Sequence, residues 1–104
     1  MLSRLYTIKY SDESIEDLSA IASHYEEINV SLKVRLKDSV MTAETDLLRN
    51  PFAFAKVSFK DFRRILLKKF PYKMIYRIEN DKIHVFAVLH QSRSNRYIRK
   101  RLKK

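Results

Sequence analysis

The 104-residue chain has no glycine, no cysteine and only two prolines. Without cysteine it has neither a disulfide scaffold nor a thiolate metal site. That agrees with a reducing cytosol. Without glycine, backbone positions that need positive φ are expected to fall to asparagine or aspartate, which tolerate left-handed geometry. No stretch approaches the roughly 18 apolar residues that a transmembrane helix needs. Met1-Leu2-Ser3-Arg4 leads into an alternating segment rather than the apolar run of a signal peptide. Linkers, repeats and low-complexity tracts are also missing. These absences predict a soluble, cytoplasmic protein with no membrane partner.

Hydrophobic residues make up 45% of the chain, which suits a globular protein and argues against disorder. The length suits one domain, residues 1–104, and a domain of this size buries roughly two-thirds of its unfolded surface. The net charge of +10 is unevenly spread. Residues 1–55 carry six Lys/Arg against nine Asp/Glu, whereas residues 56–104 carry sixteen against three. The second half therefore holds an electrostatic surface that attracts polyanions or acidic proteins. RNA, DNA, ribosomes and acidic partners are all compatible with it, as is a merely solvated basic face.

The period of the apolar residues sets the elements. Tyr6-Thr7-Ile8-Lys9-Tyr10 alternates and reads as a strand. Ser11 is a candidate N-cap, with Asp12 and Glu13 where a helix start favours negative charge. A helix is predicted from about Asp12 to Ile28, burying Ile15, Leu18, Ile21, Ala22, Tyr25 and Ile28. After a break at Asn29 and Ser31, a second helix is predicted from about Ser31 to Arg49. Its stripe is Leu36, Val40, Ala43 and Leu47, with Met41 and Leu48 beside it, and Asn50-Pro51 stops it. So short a break makes the two helices an antiparallel hairpin. Strands are then expected from Arg64 to Phe70, from Tyr72 to Glu79 and from Ile83 to His90. Pro71 interrupts the first two, and Glu79-Asn80-Asp81-Lys82 forms a tight turn between the last two. The last strand is apolar on both faces and belongs in the sheet's centre. Asn95 to Lys104 reads as a short basic helix or a frayed end. The fold class is α+β: an N-terminal strand, a two-helix antiparallel hairpin, then a mostly antiparallel three-strand meander packed on the helices. The first strand joins at an edge or beside the last. The far face of the sheet is expected to stay partly open.

Phe70-Pro71-Tyr72-Lys73-Met74-Ile75-Tyr76-Arg77-Ile78 resembles the FPY-x-φ-φ-Y-x-φ strand of the RelE/ParE superfamily of type II toxin–antitoxin toxins. Asn80-Asp81, a strand and His90-Gln91-Ser92-Arg93 follow it, and the last resembles the family's H-x-x-R. Ser11 to Leu18 resembles the start of the family's first helix, and Leu47 to Pro51 its L-x-x-x-P. The pieces occur in order over nearly the whole chain. The resemblance implies the family's fold, a growth-inhibiting role and a cognate antitoxin partner that wraps the toxin with an extended or helical segment. Two branches stay open. One inhibits DNA gyrase without nuclease chemistry, and the FPY and H-x-x-R pieces lean toward it. The other cleaves mRNA on the ribosome. The R-x-P of the gyrase branch is replaced here by Arg93-Ser94-Asn95. A member that only binds antitoxin or operator DNA is a third reading.

A metal-independent endoribonuclease must activate a 2′-hydroxyl, stabilise charge on phosphorus and protonate the leaving oxygen. Histidine suits the proton transfers and arginine the phosphate. In that reading the catalytic residues are His90, Arg93 and Tyr97, which lie close together at the end of the last strand. Arg63, Arg64, Lys73 and Arg96 are the candidate target- or phosphate-binding residues, and the resemblance also supports Lys73 as a phosphate contact. The bland readings are explicit too. His90 at a strand end can simply cap, His24 and His84 read as structural or exposed, and Tyr72 and Tyr76 alternate with Met74 as core. Lys68-Lys69 can be a solvated strand end that discourages aggregation. Arg99, Lys100, Arg101, Lys103 and Lys104 read as a non-specific polyanion contact or a loose tail. The sequence has no metal-ligand cluster, nucleotide-binding loop or nucleophile motif, so no cofactor is expected.

Overall fold

The computed structural model describes residues 5–103; the Met1–Arg4 segment and Lys104, both used in the sequence reading, lie outside it. The elements are β1 (Thr7–Tyr10), α1 (Asp12–Ile28), α2 (Val30–Arg49), a 3₁₀ turn (Pro51–Ala53), β2 (Arg63–Leu66), β3 (Tyr72–Glu79), β4 (Lys82–His90) and α3 (Asn95–Leu102). The sheet order is β1-β4-β3-β2. β2, β3 and β4 form the antiparallel meander, and β1 lies parallel to β4 from Thr7↔Lys82 to Tyr10↔Val85. β4 is thus internal along its first half, as its two apolar faces predict.

Helix starts and stops follow from side chains. The Ser11 hydroxyl accepts the Ser14 amide at 3.1 Å, and Asp12 and Glu13 fill the first turn of α1. Asn29 caps α2 through the Ser31 amide at 2.8 Å, so α2 begins at Val30, one residue before the expected start. Asn50 ends α2 and receives the Phe52 amide at 3.1 Å as the chain turns at Pro51.

Two apolar clusters sandwich the sheet. The larger lies between the sheet and the α1–α2 hairpin and includes Leu36, Leu47, Ile65, Met74, Tyr76, Ile83 and Val88. The smaller lies on the opposite face, where Ile98 of α3 meets Val57, Phe62, Ile75, Ala87 and Leu89. The expectation of an open far face is therefore corrected: α3 and the 56–62 segment cover it. Neither half of the sandwich is a simple alternation. Ile75 pairs with Ala87 while Tyr76 pairs with Val85, so Phe86 is an extra residue in β4. That bulge puts Phe86 and Ala87 on one face together and returns Val88 to the hairpin side.

Where β1 ends, α1 takes over the exposed edge of β4. The Ser11 hydroxyl donates to Phe86 O, the Ser14 hydroxyl to Val85 O, and the Val88 amide donates to Asp17 Oδ2 at 2.9 Å. Side chains thereby replace the missing strand partners of the bulge, which would otherwise leave buried backbone groups unpaired.

Other departures from the sequence reading have local causes. β2 spans only Arg63–Leu66, because Lys69 turns the chain at φ 70° and the Leu67 amide closes onto Tyr72 O at 2.9 Å. The positive-φ residues are Lys60, Lys69 and Asn80, so lysine takes two places expected of asparagine or aspartate. Each such lysine costs about 1–2 kcal/mol, which neighbouring contacts must offset. Ile15, Ile28 and Met41 are more than half exposed and Leu48 nearly so, while Ser14 is buried. The hairpin packs one side on the sheet, so the apolar stripe that extends past that side faces outward.

Tyr76 is fully buried and its hydroxyl donates to Pro51 O at 2.6 Å, tying β3 to the turn after α2. Burial pushes this phenol up to about 12, against a weaker opposing effect of Arg63. The unfolded chain releases that proton near pH 10 while the folded protein keeps it. Stability from this group is therefore complete below pH 10 and falls as pH rises toward 12, by at most about 1.4 kcal/mol per pH unit. Burial, with the Glu44 hydrogen bond and charge, raises the Tyr10 phenol as well, so it contributes with the same sign. Tyr76→Phe should cost about 1–2 kcal/mol at pH 7 by stranding the Pro51 carbonyl. Its disadvantage should shrink above pH 10 in urea titrations, and a gap that does not narrow would exclude this account.

Candidate functional site

The candidate residues gather where β3 starts and β4 ends, but the sheet divides them. The register pairs Tyr72 with His90 and Lys73 with Leu89. Alternation then sends Lys73 and Leu89 toward α3 and turns His90 toward the hairpin side. There the His90 ring meets Tyr72 edge-on at 5.6 Å, and Tyr72 continues to Tyr25 at 6.3 Å. His90 Nδ1 accepts the Ser92 amide at 3.1 Å and lies 2.8 Å from the Ser92 hydroxyl. An Nδ1 that accepts a backbone N–H places the ring proton of the neutral form on Nε2. The ring therefore caps the turn after β4, as the bland reading of a strand-end histidine anticipates.

Arg93 and Tyr97 lie on the other side. The Arg93 guanidinium sits 4.3 Å above the Tyr97 ring, the first turn of α3. Among the described residues no hydrogen bond or ion pair joins either side chain to His90. The three residues grouped as catalytic are near in sequence, but only Arg93 and Tyr97 are brought together.

Lys73 is only 7% exposed, and its ammonium donates to Gln91 O at 3.2 Å and Arg93 O at 2.8 Å. Its charge is spent on the carbonyls of the post-β4 turn, which corrects the reading of Lys73 as a free phosphate contact. Burial, with the nearby Arg64 cation, pulls its pKa below the usual lysine value. Arg63 is committed too. Its Nη1 donates to Phe52 O at 3.2 Å and Phe54 O at 2.7 Å, and its guanidinium lies 5.4 Å over the Phe52 ring. It braces the chain between α2 and β2. Arg64 is half-buried at the β2 edge, in a crevice of about 320 Å³ with Asp46, Phe54 and Lys68. Arg96 is exposed on α3, and no hydrogen bond or ion pair engages its side chain among the described residues.

The sequence reading missed the anchor that positions α3. Arg101, grouped with a loose tail, donates to Asp17 Oδ2 at 2.7 Å, and both side chains are less than one-fifth exposed. The same Asp17 oxygen accepts the Val88 amide. A signal was present: Ser14, Asp17, Leu18 and Ile21 share one face of α1 at helical spacing, so Asp17 is a carboxylate on an inward stripe. Arg77 was missed as well. Its guanidinium sits against the T-shaped pair of Phe62 and Phe86, 5.0 and 5.4 Å from their ring centres, and meets Glu79 at 2.6 Å. That bond is the largest influence on the Glu79 carboxyl and holds it below the usual carboxylate range.

Among the described residues no cluster of three or more His, Asp or Glu side chains could hold a metal, and no helix is long and apolar enough to cross a membrane. The hairpin does carry an open apolar groove of about 650 Å³, lined by Leu18, Ala22, Val30, Val34 and Met41 and rimmed by Glu26, Lys33, Lys37 and Glu44.

The fold recurs in solved structures. The chromosomal ParDE toxin–antitoxin system from P. aeruginosa superimposes with a TM-score of 0.72 at 18% identity, covering 85% of this chain and 98% of that one. The intact E. coli RelBE toxin–antitoxin complex gives 0.55 at 15% identity, covering 85% and 99%. The isolated E. coli RelE toxin gives 0.54 at 16% identity, covering 91% and 94%. No curated protein matches the sequence significantly. Residues 8–95 match the family described as the ParE toxin of the type II toxin–antitoxin system parDE. With most of its length inside that match, the chain belongs to the ParE toxin family of type II toxin–antitoxin systems.

Proposed function

We propose that this ParE-family toxin arrests growth by binding DNA gyrase, without cleaving RNA, and that a cognate antitoxin neutralises it. One observation carries the choice of mechanism: His90 and the Arg93–Tyr97 pair fall on opposite faces of the sheet. RNA cleavage needs a proton donor or acceptor within hydrogen-bond reach of a phosphate held by cations. Here the histidine caps a turn and Lys73 serves backbone carbonyls. A binding inhibitor requires only an exposed cationic surface of fixed shape. The antitoxin reading is supported by the two solved neighbours that are toxin–antitoxin complexes. It is also supported by the apolar groove on the hairpin, whose mixed-charge rim suits an amphipathic segment that folds on binding.

The test is expression without antitoxin, followed by two assays on purified protein. Gyrase supercoiling should fall and cleaved DNA complexes should accumulate, while mRNA on translating ribosomes stays intact. His90→Ala should keep growth inhibition within about twofold of wild type. Ribosome-dependent cleavage that disappears in both His90→Ala and Arg93→Ala would replace this reading with a nuclease. Normal growth at high expression, with tight binding of a small acidic neighbour, would instead indicate a member that only binds its antitoxin.

A further inference from the structure

We infer that the outer face of α3, with the adjoining 56–60 loop, docks on the phosphate backbone of double-stranded DNA. The inference deepens the gyrase reading and rests on it for its biological use, since a toxin bound to gyrase is brought beside the DNA that gyrase holds. The family match ends at Asn95, the first residue of α3, so this helix lies almost wholly outside the matched residues.

The helix has two sides. Ile98 is fully buried, and Arg101, three residues on, is tied to Asp17. Opposite them Arg96, Lys100 and the C-cap Lys103 follow one another at i, i+4 and i+7, which is one exposed stripe. Their side chains make no hydrogen bond or ion pair among the described residues. Arg93 extends the stripe from the turn before the helix, stacked on Tyr97. On one flank Arg99 donates to Ser58 O at 3.1 Å and Asn95 to the Ser58 hydroxyl at 3.3 Å. Those bonds set the loop carrying exposed Lys56 and Lys60 beside the helix. Residues 93–103 contain no acidic side chain.

Helix stability does not account for this charge. Cations in the last turn complement the helix dipole, but Arg96 is in the first turn, where it opposes the dipole and where the helix has no acid. Arg96 and Lys100 also repel at i, i+4 spacing. A bound polyanion would supply the negative charge that the helix itself lacks and relieve this repulsion. The aromatics select among polyanions. Single-strand binders stack bases on open rings. Here Arg93 covers Tyr97, Lys60 lies 5.2 Å from the centre of Phe59, and Phe59 also stacks on Phe62. What the surface offers is a row of cations with covered rings, which suits backbone contacts to a duplex.

The experiment titrates the purified full-length toxin, without gyrase, against a labelled 30-base-pair duplex by fluorescence anisotropy at several salt concentrations. With four or so phosphate contacts, log K should fall with log salt at a slope of roughly −3 to −4. The triple variant Arg96→Ala, Lys100→Ala, Lys103→Ala should flatten that slope by about 2–3 and weaken binding more than tenfold at low salt. Arg35→Ala, on the helical hairpin across the sheet, should change neither. Absent binding, an unchanged slope in the triple variant, or equal or tighter binding to single-stranded RNA or polyglutamate would overturn the inference. The gyrase assay remains separate, because duplex binding without gyrase inhibition would discard that reading and keep this surface.

Discussion

Asp17→Ala should destabilise the protein by about 2–3 kcal/mol, although Asp17 is one polar residue on a mostly solvated helix. Its Oδ2 accepts two donors from different layers, Val88 N from the sheet and Arg101 Nη2 from α3. Removing the carboxylate leaves a backbone N–H unpaired at the β4 bulge and a guanidinium without its counter-ion. Burial disfavours the Arg101 cation. Even so, the hydrogen bond and charge of Asp17, with smaller help from Glu13 and Tyr97, hold it above the ordinary arginine value. Both side chains keep slightly under one-fifth exposure, so solvent screens part of the loss and the figure stays below that of a fully buried pair. Asp17→Asn should recover a fraction, since its carbonyl oxygen can still accept one donor. A double-mutant cycle with Arg101→Ala should give a coupling near 1 kcal/mol or more. Urea unfolding that puts Asp17→Ala within about 0.5 kcal/mol of wild type would mean the three-way contact contributes little.

The same contact shows what the sequence reveals and what it hides. Helices and strands are legible because their apolar periods differ: Leu36, Val40, Ala43 and Leu47 repeat helically, whereas Tyr72, Met74 and Tyr76 alternate. Asn80 at the β3–β4 turn is legible because a left-handed residue there favours asparagine, and its φ is 57°. Phe86 as a bulge is not legible, since an extra residue in a strand is defined only by its partner. The candidate site suffers from the same limit. His90, Arg93 and Tyr97 stand close in the chain, but a strand that ends at His90 sends successive side chains to opposite faces. The turn held by Lys73 then places Arg93 over α3. Proximity in sequence therefore overstated proximity in space. The basic second half was legible as a surface. The assignment of each cation was not: Lys73, Arg63 and Arg101 are structural, while Arg96, Lys100 and Lys103 are exposed.

Ile98→Asp should produce the largest effect of any single change in α3 and should act locally. Ile98 is the fully buried residue through which α3 packs on Val57, Phe62, Ile75, Ala87 and Leu89. Placing a carboxylate there would cost several kcal/mol, because the cations beside that cluster are already engaged, Arg77 by Glu79 and Lys73 by the Gln91 and Arg93 carbonyls. The helix has a cheaper response than tolerating the charge, which is to leave the sheet. Its departure forfeits roughly 1.5–3 kcal/mol of Ile98 burial, the Arg101–Asp17 contact and part of the cover over Ile75, Ala87 and Leu89. The hairpin cluster around Leu47, Met74 and Tyr76 lies across the sheet and loses nothing directly. Hydrogen exchange should therefore show amides of residues 95–102 and Val88 exchanging much faster, with β3 amides from Met74 to Ile78 protected at near wild-type levels. Trypsin should cut first at Arg99 or Arg101. Simultaneous loss of protection in α3 and β3 would show instead that the two clusters fold and unfold as one unit, and that α3 is part of the core rather than a layer laid over it.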